Sequence, residues 1–212
     1  MPLAFEFKAD PRAPDVVTFK CPLVCGRCTH TTRGDARCKN RACIGVPLCW
    51  QHLRSARHLR VQASTIPGAG KGVFVMKPKA PAGEPVFRAG DLVTGYEGEL
   101  VTKAETRRRY GANGAISTAP YTASVDRRYD EDASCRRGVG ALVNHKPQQE
   151  NVQLFVNGPA GSRSQRVELY ATRDIFNGQE LFLDYGAGYT MPRQLPGRPD
   201  YQQYSTLQRR HV

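Results

Sequence analysis

Val167-Glu168-Leu169-Tyr170-Ala171-Thr172-Arg173-Asp174-Ile175, followed two residues later by Gly178-Gln179-Glu180-Leu181-Phe182-Leu183-Asp184-Tyr185-Gly186, is the stretch on which the reading of this chain turns. Val167–Ala171 and Leu181–Leu183 have the length and composition of strands, and the polar residues between them read as turns. Taken alone, Asp184-Tyr185-Gly186 describes an ordinary half-buried strand tyrosine.

Working toward the N-terminus, short apolar segments alternate with turn signals from about residue 62. Val73–Met76, Pro85–Phe87, Leu92–Thr94 and Val152–Val156 read as further strands. Thr102 to Tyr110 is the best helix candidate, with Thr102 as N-cap and Glu105 placed to complete a capping box. Three polar features punctuate this β-rich run. Ser64-Thr65-Ile66-Pro67-Gly68-Ala69-Gly70-Lys71-Gly72 leads into a strand, Gly95-Tyr96-Glu97-Gly98-Glu99 follows one, and Val143-Asn144-His145 lies between others. A glycine-rich turn permits the close backbone approach that a Cβ would forbid. Each feature is weak by itself; their order and separation carry the signal.

In that order these segments resemble the SET family of protein-lysine methyltransferases over roughly residues 62–190. The resemblance implies a mainly β (α+β) fold, a β-clip of small sheets closed by a C-terminal pseudoknot in which the Asn-His strip threads beneath the last strand. It implies S-adenosylmethionine as cofactor, with Ala69, Gly70, Lys71 and Gly72 at its methionine part and Asn144 and His145 as further contacts. Asparagine offers both a donor and an acceptor, which suits an adenine edge or a carboxylate. Tyr185 matches the family's catalytic tyrosine, and Tyr96 is placed beside it in the channel for the substrate lysine. The flanks of the Asn-His pair depart from the family: Ala141-Leu142 and Lys146-Pro147 replace its usual neighbours. The family's cysteine-rich segment after the catalytic strand is missing too. Residues 191–212 are therefore expected to close the site as a tail, and among residues 187–212 Tyr189, Tyr201 or Tyr204 would serve as cover.

The first part of the chain is different in kind. Six of the seven cysteines lie between Cys21 and Cys49, which with an odd total argues for metal ligation rather than a disulfide scaffold. Residues 1–20 read as a mobile or loosely docked arm and 21–61 as a Cys/His zinc-binding module. Pairs separated by two residues form knuckles that supply half a tetrahedron. Cys25/Cys28 and Cys49/His52 are two such pairs, and Cys38 and Cys43 would need partners from Cys21, His30 or His58. Two zinc ions is the full reading; one ion held by Cys28, Cys38, Cys49 and His52 is the economical one. A segment this small cannot bury enough apolar surface to fold unaided, so a structural metal is the default.

Of the net charge of +12, residues 1–62 carry eleven Lys/Arg against four Asp/Glu. No acidic residue falls between Asp35 and Glu84, while nine basic ones do, a pattern that attracts polyanions such as nucleic acid or else simply forms a solvated face. Acidic and basic residues interrupt any secretory h-region near the N-terminus, and no apolar run approaches the roughly 20 residues of a membrane span. These features favour a soluble intracellular protein without a membrane partner, nuclear or, given the likeness in size to compact SET proteins of large DNA viruses, host-nuclear. By resemblance the substrate is a histone tail or nucleosome, with Asp126, Asp130, Glu131 and Asp132 as candidates for an acidic groove that would receive a basic tail. A homodimer is left open. The competing reading is a catalytically weak SET-fold module that docks on chromatin or nucleic acid through its basic zinc end.

Two residues before Tyr185 the family carries a residue that helps to set methylation number, and here it is Leu183. A side chain without a hydroxyl holds no blocking water, so di- or trimethylated product is expected at saturating cofactor. Mass spectrometry showing monomethyl-lysine alone would contradict this, unless Tyr121 or Tyr129 fills the same space.

Overall fold

The structure is a computed structural model and describes residues 3–6, 20–23, 26–32, 34–42, 46–110 and 121–186. The element order begins with β1 (Leu3–Glu6) and β2 (Lys20–Leu23), which pair antiparallel, then β3 (Gly26–Arg27) and β4 (Arg41–Ala42), which do the same. Of residues 1–20, expected as a mobile or loosely docked arm, Leu3–Glu6 and Lys20 are described, and they lie in this ladder; Pro2, Pro11 and Pro14 lie outside the described residues. Helix α1 (Trp50–Arg57) follows and is capped by His58 in the left-handed conformation, whose N–H reaches the carbonyls of Arg54 and Leu53.

The chain then forms several small sheets. β5 (Leu59–Ala63) and β6 (Lys71–Val75) make a hairpin around the glycine loop. β7 (Pro85–Phe87) is followed by β8 (Leu92–Gly95), β9 (Glu99–Thr102) and helix α2 (Lys103–Tyr110). Thr102 caps α2 as expected, its Oγ1 accepting the Glu105 N–H at 3.1 Å. The capping box stays half-built, because the Glu105 carboxylate takes Arg108 and Arg109 at 2.7–2.8 Å instead. β10 (Thr122–Ser124) and β11 (Tyr129–Asp132) complete a three-stranded sheet in the order β10-β11-β9.

After a 3₁₀ turn at Gly140–Leu142 come β12 (Asn144–His145), β13 (Val152–Asn157), β14 (Arg166–Ala171), β15 (Ile175–Phe176) and β16 (Phe182–Leu183). β14 lies between β13 and β8, and β15 pairs with β7. β14 alternates as its sequence demands: Val167, Leu169 and Ala171 are buried and the residues between them are not. Beyond Val152, β13 is exposed along its length, including Leu154, Phe155 and Val156. The core joins Leu59, Val73, Val75, Val139, Val143, Val152, Leu169, Ile175, Leu181 and Leu183.

The closure that positions the site is the parallel pairing of β12 with β16, Asn144 opposite Phe182 and His145 opposite Leu183. The Asn-His strip thus lies against the last strand, as the pseudoknot reading requires. Asn151 locks the arrangement: its Nδ2 donates to the Glu180 carbonyl at 2.9 Å, and its Oδ1 accepts from the Phe182 amide at 2.9 Å.

Close packing also limits the turn before this strip. A methyl group on Gly138 would sit 2.4 Å from the Tyr96 carbonyl oxygen and 2.5 Å from Glu97 Cβ, so backbone would have to move. Gly138→Ala is expected to destabilise the fold by about 2 kcal/mol or more, as overpacking against main chain does. Chemical denaturation would measure it, and an unchanged midpoint would refute the packing described.

Candidate active site and metal centre

The glycine loop is shaped by its own turns. Gly68 and Gly70 have φ of 79° and 73°, the Ser64 amide donates to the Gly70 carbonyl at 3.0 Å, and the Ala69 amide to Ile66 at 3.2 Å. Beneath the loop lies Glu180, 5% exposed, whose carboxylate accepts from Ser64 Oγ at 2.6 Å, from the Thr65 amide at 2.7 Å and from Thr65 Oγ1 at 2.6 Å. It occupies the place of a side chain at position 72, because a Cβ on Gly72 would fall 2.0 Å from Glu180 Oε1. Asn144 joins the same cluster, its Nδ2 donating to the Lys71 carbonyl at 3.0 Å and to Glu180 Oε1 at 3.3 Å. Three stretches of sequence, the glycine loop, the Asn-His strip and the closing signature, therefore meet at one point. Glu180 was legible only as part of the closing signature; nothing in the sequence pairs it with Ser64 and Thr65, more than a hundred residues away.

Next to this cluster stands Tyr185. Its amide donates to His145 Nδ1 at 3.0 Å, which makes Nδ1 an acceptor and places the ring proton on Nε2. The imidazole and phenol rings lie 5.0 Å apart between centroids. The Tyr185 hydroxyl donates to the Val143 carbonyl at 2.5 Å. Tyr96 is 7% exposed, and its amide donates to Val167 at 2.8 Å. Burial raises its phenol well above the usual tyrosine range, and the neighbouring Tyr185 adds to the effect. Tyr121 also acts on Tyr96 and stacks beneath the Arg137 guanidinium, 3.8 Å from its ring centroid. Leu183 is buried in the same hydrophobic core as Tyr96.

Asp130, Glu131 and Asp132 are buried and Asp126 is tied into a turn, so these four do not form the expected acidic groove. Asp130 is bound by Lys103 and, at 2.7 Å, by Thr106. Glu131 is fully buried and accepts the amides of Gly98 and Val167 at 2.8 and 2.7 Å. Burial pushes the Glu131 carboxyl up, and those two amides oppose the shift. Asp132 accepts from Arg109 at 2.8 Å and from the Ser134 amide at 2.9 Å, while Asp126 caps a turn through the Arg128 and Tyr129 amides. All four carboxylates hold the fold together.

In the Cys/His module, Cys28, Cys38, Cys49 and His52 place one ligand atom each within 4.8 Å of one another. The His52 Nδ1 lies 3.5 Å from Cys28 Sγ and 3.3 Å from Cys49 Sγ. A tetrahedral zinc with Zn–S of about 2.3 Å and Zn–N of about 2.0–2.1 Å sets such an edge near 3.5 Å, so the cluster could hold zinc. This is the economical ligand set. Cys25 and Cys43 lie outside the described residues. His30 stacks on His52, with centroids 3.9 Å apart, and His58 serves as the cap of α1. Cys135 is disulfide-bonded, so the cysteines of this chain do not serve metal alone.

Comparison with known proteins gives this geometry its context. The SET domain profile matches residues 70–186, more than half of the chain. The chain belongs to the SET-domain family. It is 29% identical over 120 residues to the histone-lysine N-methyltransferase ATX2 of Arabidopsis thaliana, covering 55% of this chain and 10% of that one. It is 30% identical over 126 residues to the N-lysine methyltransferase KMT5A-A of Danio rerio, covering 57% and 33%. With SUV39H1 of Xenopus laevis, a histone-lysine N-methyltransferase, the figures are 31% over 106 residues, 47% and 24%. The SET chain thus spans a third or less of the length of these relatives. Among solved structures, a chain of the Chaetomium thermophilum polycomb repressive complex 2 shares the fold, with TM-score 0.51 and 23% identity over 67% of this chain and 17% of that one.

Cys49→Ala is expected to release zinc from the cluster and to shift the emission of Trp50, the only tryptophan, which begins the helix that Cys49 caps. Metal analysis and fluorescence would read the two effects. Full zinc retention would rule out this ligand set.

Proposed function

We propose that this protein is an S-adenosylmethionine-dependent protein-lysine methyltransferase. The observation that carries the reading is the convergence of the glycine loop, Asn144, His145 and Tyr185 around Glu180 and the Val143 carbonyl. The likeness to SET proteins named as lysine methyltransferases supports it.

When bound, the cofactor supplies a sulfonium methyl group for in-line displacement by an amine. Ala69, Gly70, Lys71 and Gly72 would approach it through main chain. The Asn144 Nδ2 is already engaged by Lys71 and Glu180, so this side chain would offer a ligand its Oδ1 as an acceptor. The nucleophile must be a neutral amine, although a lysine in water has a pKa near 10.4. A narrow apolar channel with Tyr96, Tyr185 and Leu183 in its walls would disfavour the ammonium form. Neither tyrosine is suited to be the base. Tyr96 is held protonated by burial, and Tyr185 directs its proton to Val143. With that proton committed, the Tyr185 oxygen keeps its lone pairs to orient the incoming amine and the methyl group. His145 holds the Tyr185 main chain in place.

The substrate side of the proposal is a histone tail or a nucleosome, in a nuclear setting. The internal use of Asp126, Asp130, Glu131 and Asp132 leaves recognition of a basic tail to other groups. A nucleosome also offers anionic DNA to the basic Cys/His module, where Trp50 is 64% exposed and Asn40 holds Gln51 of the same helix at 3.0 Å. That second contact predicts binding that weakens steeply with salt. Among the described residues no helix is long and apolar enough to cross a membrane. Cover of the site by residues 191–212 falls outside the described residues.

Transfer of labelled methyl from S-adenosylmethionine to histones and nucleosomes tests the reading. Tyr185→Phe is expected to lower kcat by about 100-fold or more with cofactor affinity retained, since it removes alignment rather than binding. Wild-type protein that binds nucleosomes yet transfers no methyl group would favour the docking-module alternative.

A further inference from the structure

The turn that carries Tyr96 is held from two sides. On the inner side the Tyr96 amide donates to Val167 at 2.8 Å, the Gly98 amide to Glu131 Oε1 at 2.8 Å, and the Gly138 amide to the Tyr96 carbonyl at 3.2 Å. Between Tyr96 and Gly98, Glu97 adopts a φ of 59°, a conformation that a residue with a Cβ keeps only when its surroundings hold it. On the outer side the hold is Arg57, whose Nη1 donates to Glu97 Oε1 at 2.7 Å and also lies 3.5 Å from Thr94 Oγ1.

Arg57 is the last residue of α1, and the first turn of that helix belongs to the metal cluster through Cys49 and His52. α1 has eight residues, buries only Leu53 and starts without a side-chain cap. A helix so short does not persist by its own hydrogen bonds. Metal ligation at one end and the Arg57–Glu97 contact at the other hold it between the module and the channel.

We propose that Arg57 and Glu97 are a positioning pair through which the metal-bound Cys/His module sets the Tyr96 turn, and with it the lysine channel; this rests on the methyltransferase reading above. Both side chains are about a third exposed, 35% and 32%, so the pair adds little to global stability. Its effect lies in the orientation of one turn. Tyr96 lies in the core cluster against which Tyr185 and Tyr121 pack, so a small rotation at Glu97 moves a wall of the channel, while the glycine loop keeps its own support from Glu180.

The test uses the zinc-loaded full chain. Arg57→Met is expected to leave Trp50 emission, thermal midpoint and KM for S-adenosylmethionine unchanged and to lower kcat about tenfold, the scale of a modest misalignment. Arg57→Glu and Glu97→Arg should each behave alike, and the double exchange R57E/E97R should restore most of kcat, which a merely structural contact would not require. Hydrogen exchange of residues 93–99, read by mass spectrometry, should quicken in Arg57→Met and in chelated wild type, with little further change when Arg57→Met is chelated. Unchanged exchange and kcat in Arg57→Met, or a double exchange no better than the single ones, would overturn the proposal. Should the wild type transfer no methyl at all, the methyltransferase reading fails, while the exchange measurement still decides the coupling.

Discussion

One buried carboxylate holds the site together. Glu180 gathers donors from Ser64, Thr65 and Asn144, and so joins a loop, a strip and a strand that the chain separates widely. Charge-assisted hydrogen bonds of this kind are shorter and stronger than neutral ones, and inside the protein they depend on full satisfaction. Glu180 meets both conditions. It also explains why position 72 is glycine, since the carboxylate fills the space that a Cβ would need. The glycine loop is therefore formed from beneath by a residue just before the closing strand and is not a self-sufficient turn.

The Cys/His module solves a different problem. Among the described residues its own buried cluster is the three cysteines with Leu48 against them, while Val46, Leu53 and Leu59 join the main core, and that separate cluster is far too little apolar surface to fold alone. A metal would replace that missing core and tie α1 to the β3–β4 hairpin. Arg27 and Arg37 reinforce the frame by donating across it to main-chain carbonyls, Arg27 to Cys38 and Arg37 to Cys28. Part of the basic charge that reads as a surface for polyanions is thus structural, while the exposed Trp50 belongs to the outer face.

Sequence revealed the strands whose pattern is local and hid the elements that depend on distant partners. Val167–Ala171 alternates cleanly and was legible to the residue, save that β14 begins at Arg166. β11 was not, because Tyr129-Asp130-Glu131-Asp132 reads as a solvated acidic patch until Lys103, Arg109 and the amides of Gly98 and Val167 are seen to surround it. The short helix α1 was missed for the same reason: one buried leucine leaves no periodic face, and its first turn is anchored in the Cys/His cluster. At the site, Tyr185, Asn144, His145 and the glycine loop were found through the family's motifs, and the structure brings them together. The organising roles of Glu180, Asn151 and the Val143 carbonyl appear only in three dimensions. The cluster Cys28, Cys38, Cys49 and His52, which could hold zinc, was one of two partitions that spacing allowed.

The parallel pairing of β12 with β16 has a consequence for how the protein is made. The glycine loop leaves the ribosome more than a hundred residues before Glu180, the group that shapes it. Until then Gly72 faces an unfilled space, and Asn151 waits for the strand it will bracket. Such long-range closure raises the contact order and slows folding, with incomplete forms that expose apolar surface along the way. The β13 edge, with Leu154, Phe155 and Val156, emerges late in that interval and stays exposed in the finished fold. Closure of the site thus arrives late in synthesis, and growth conditions that slow elongation should alter the yield of soluble protein more than its final stability.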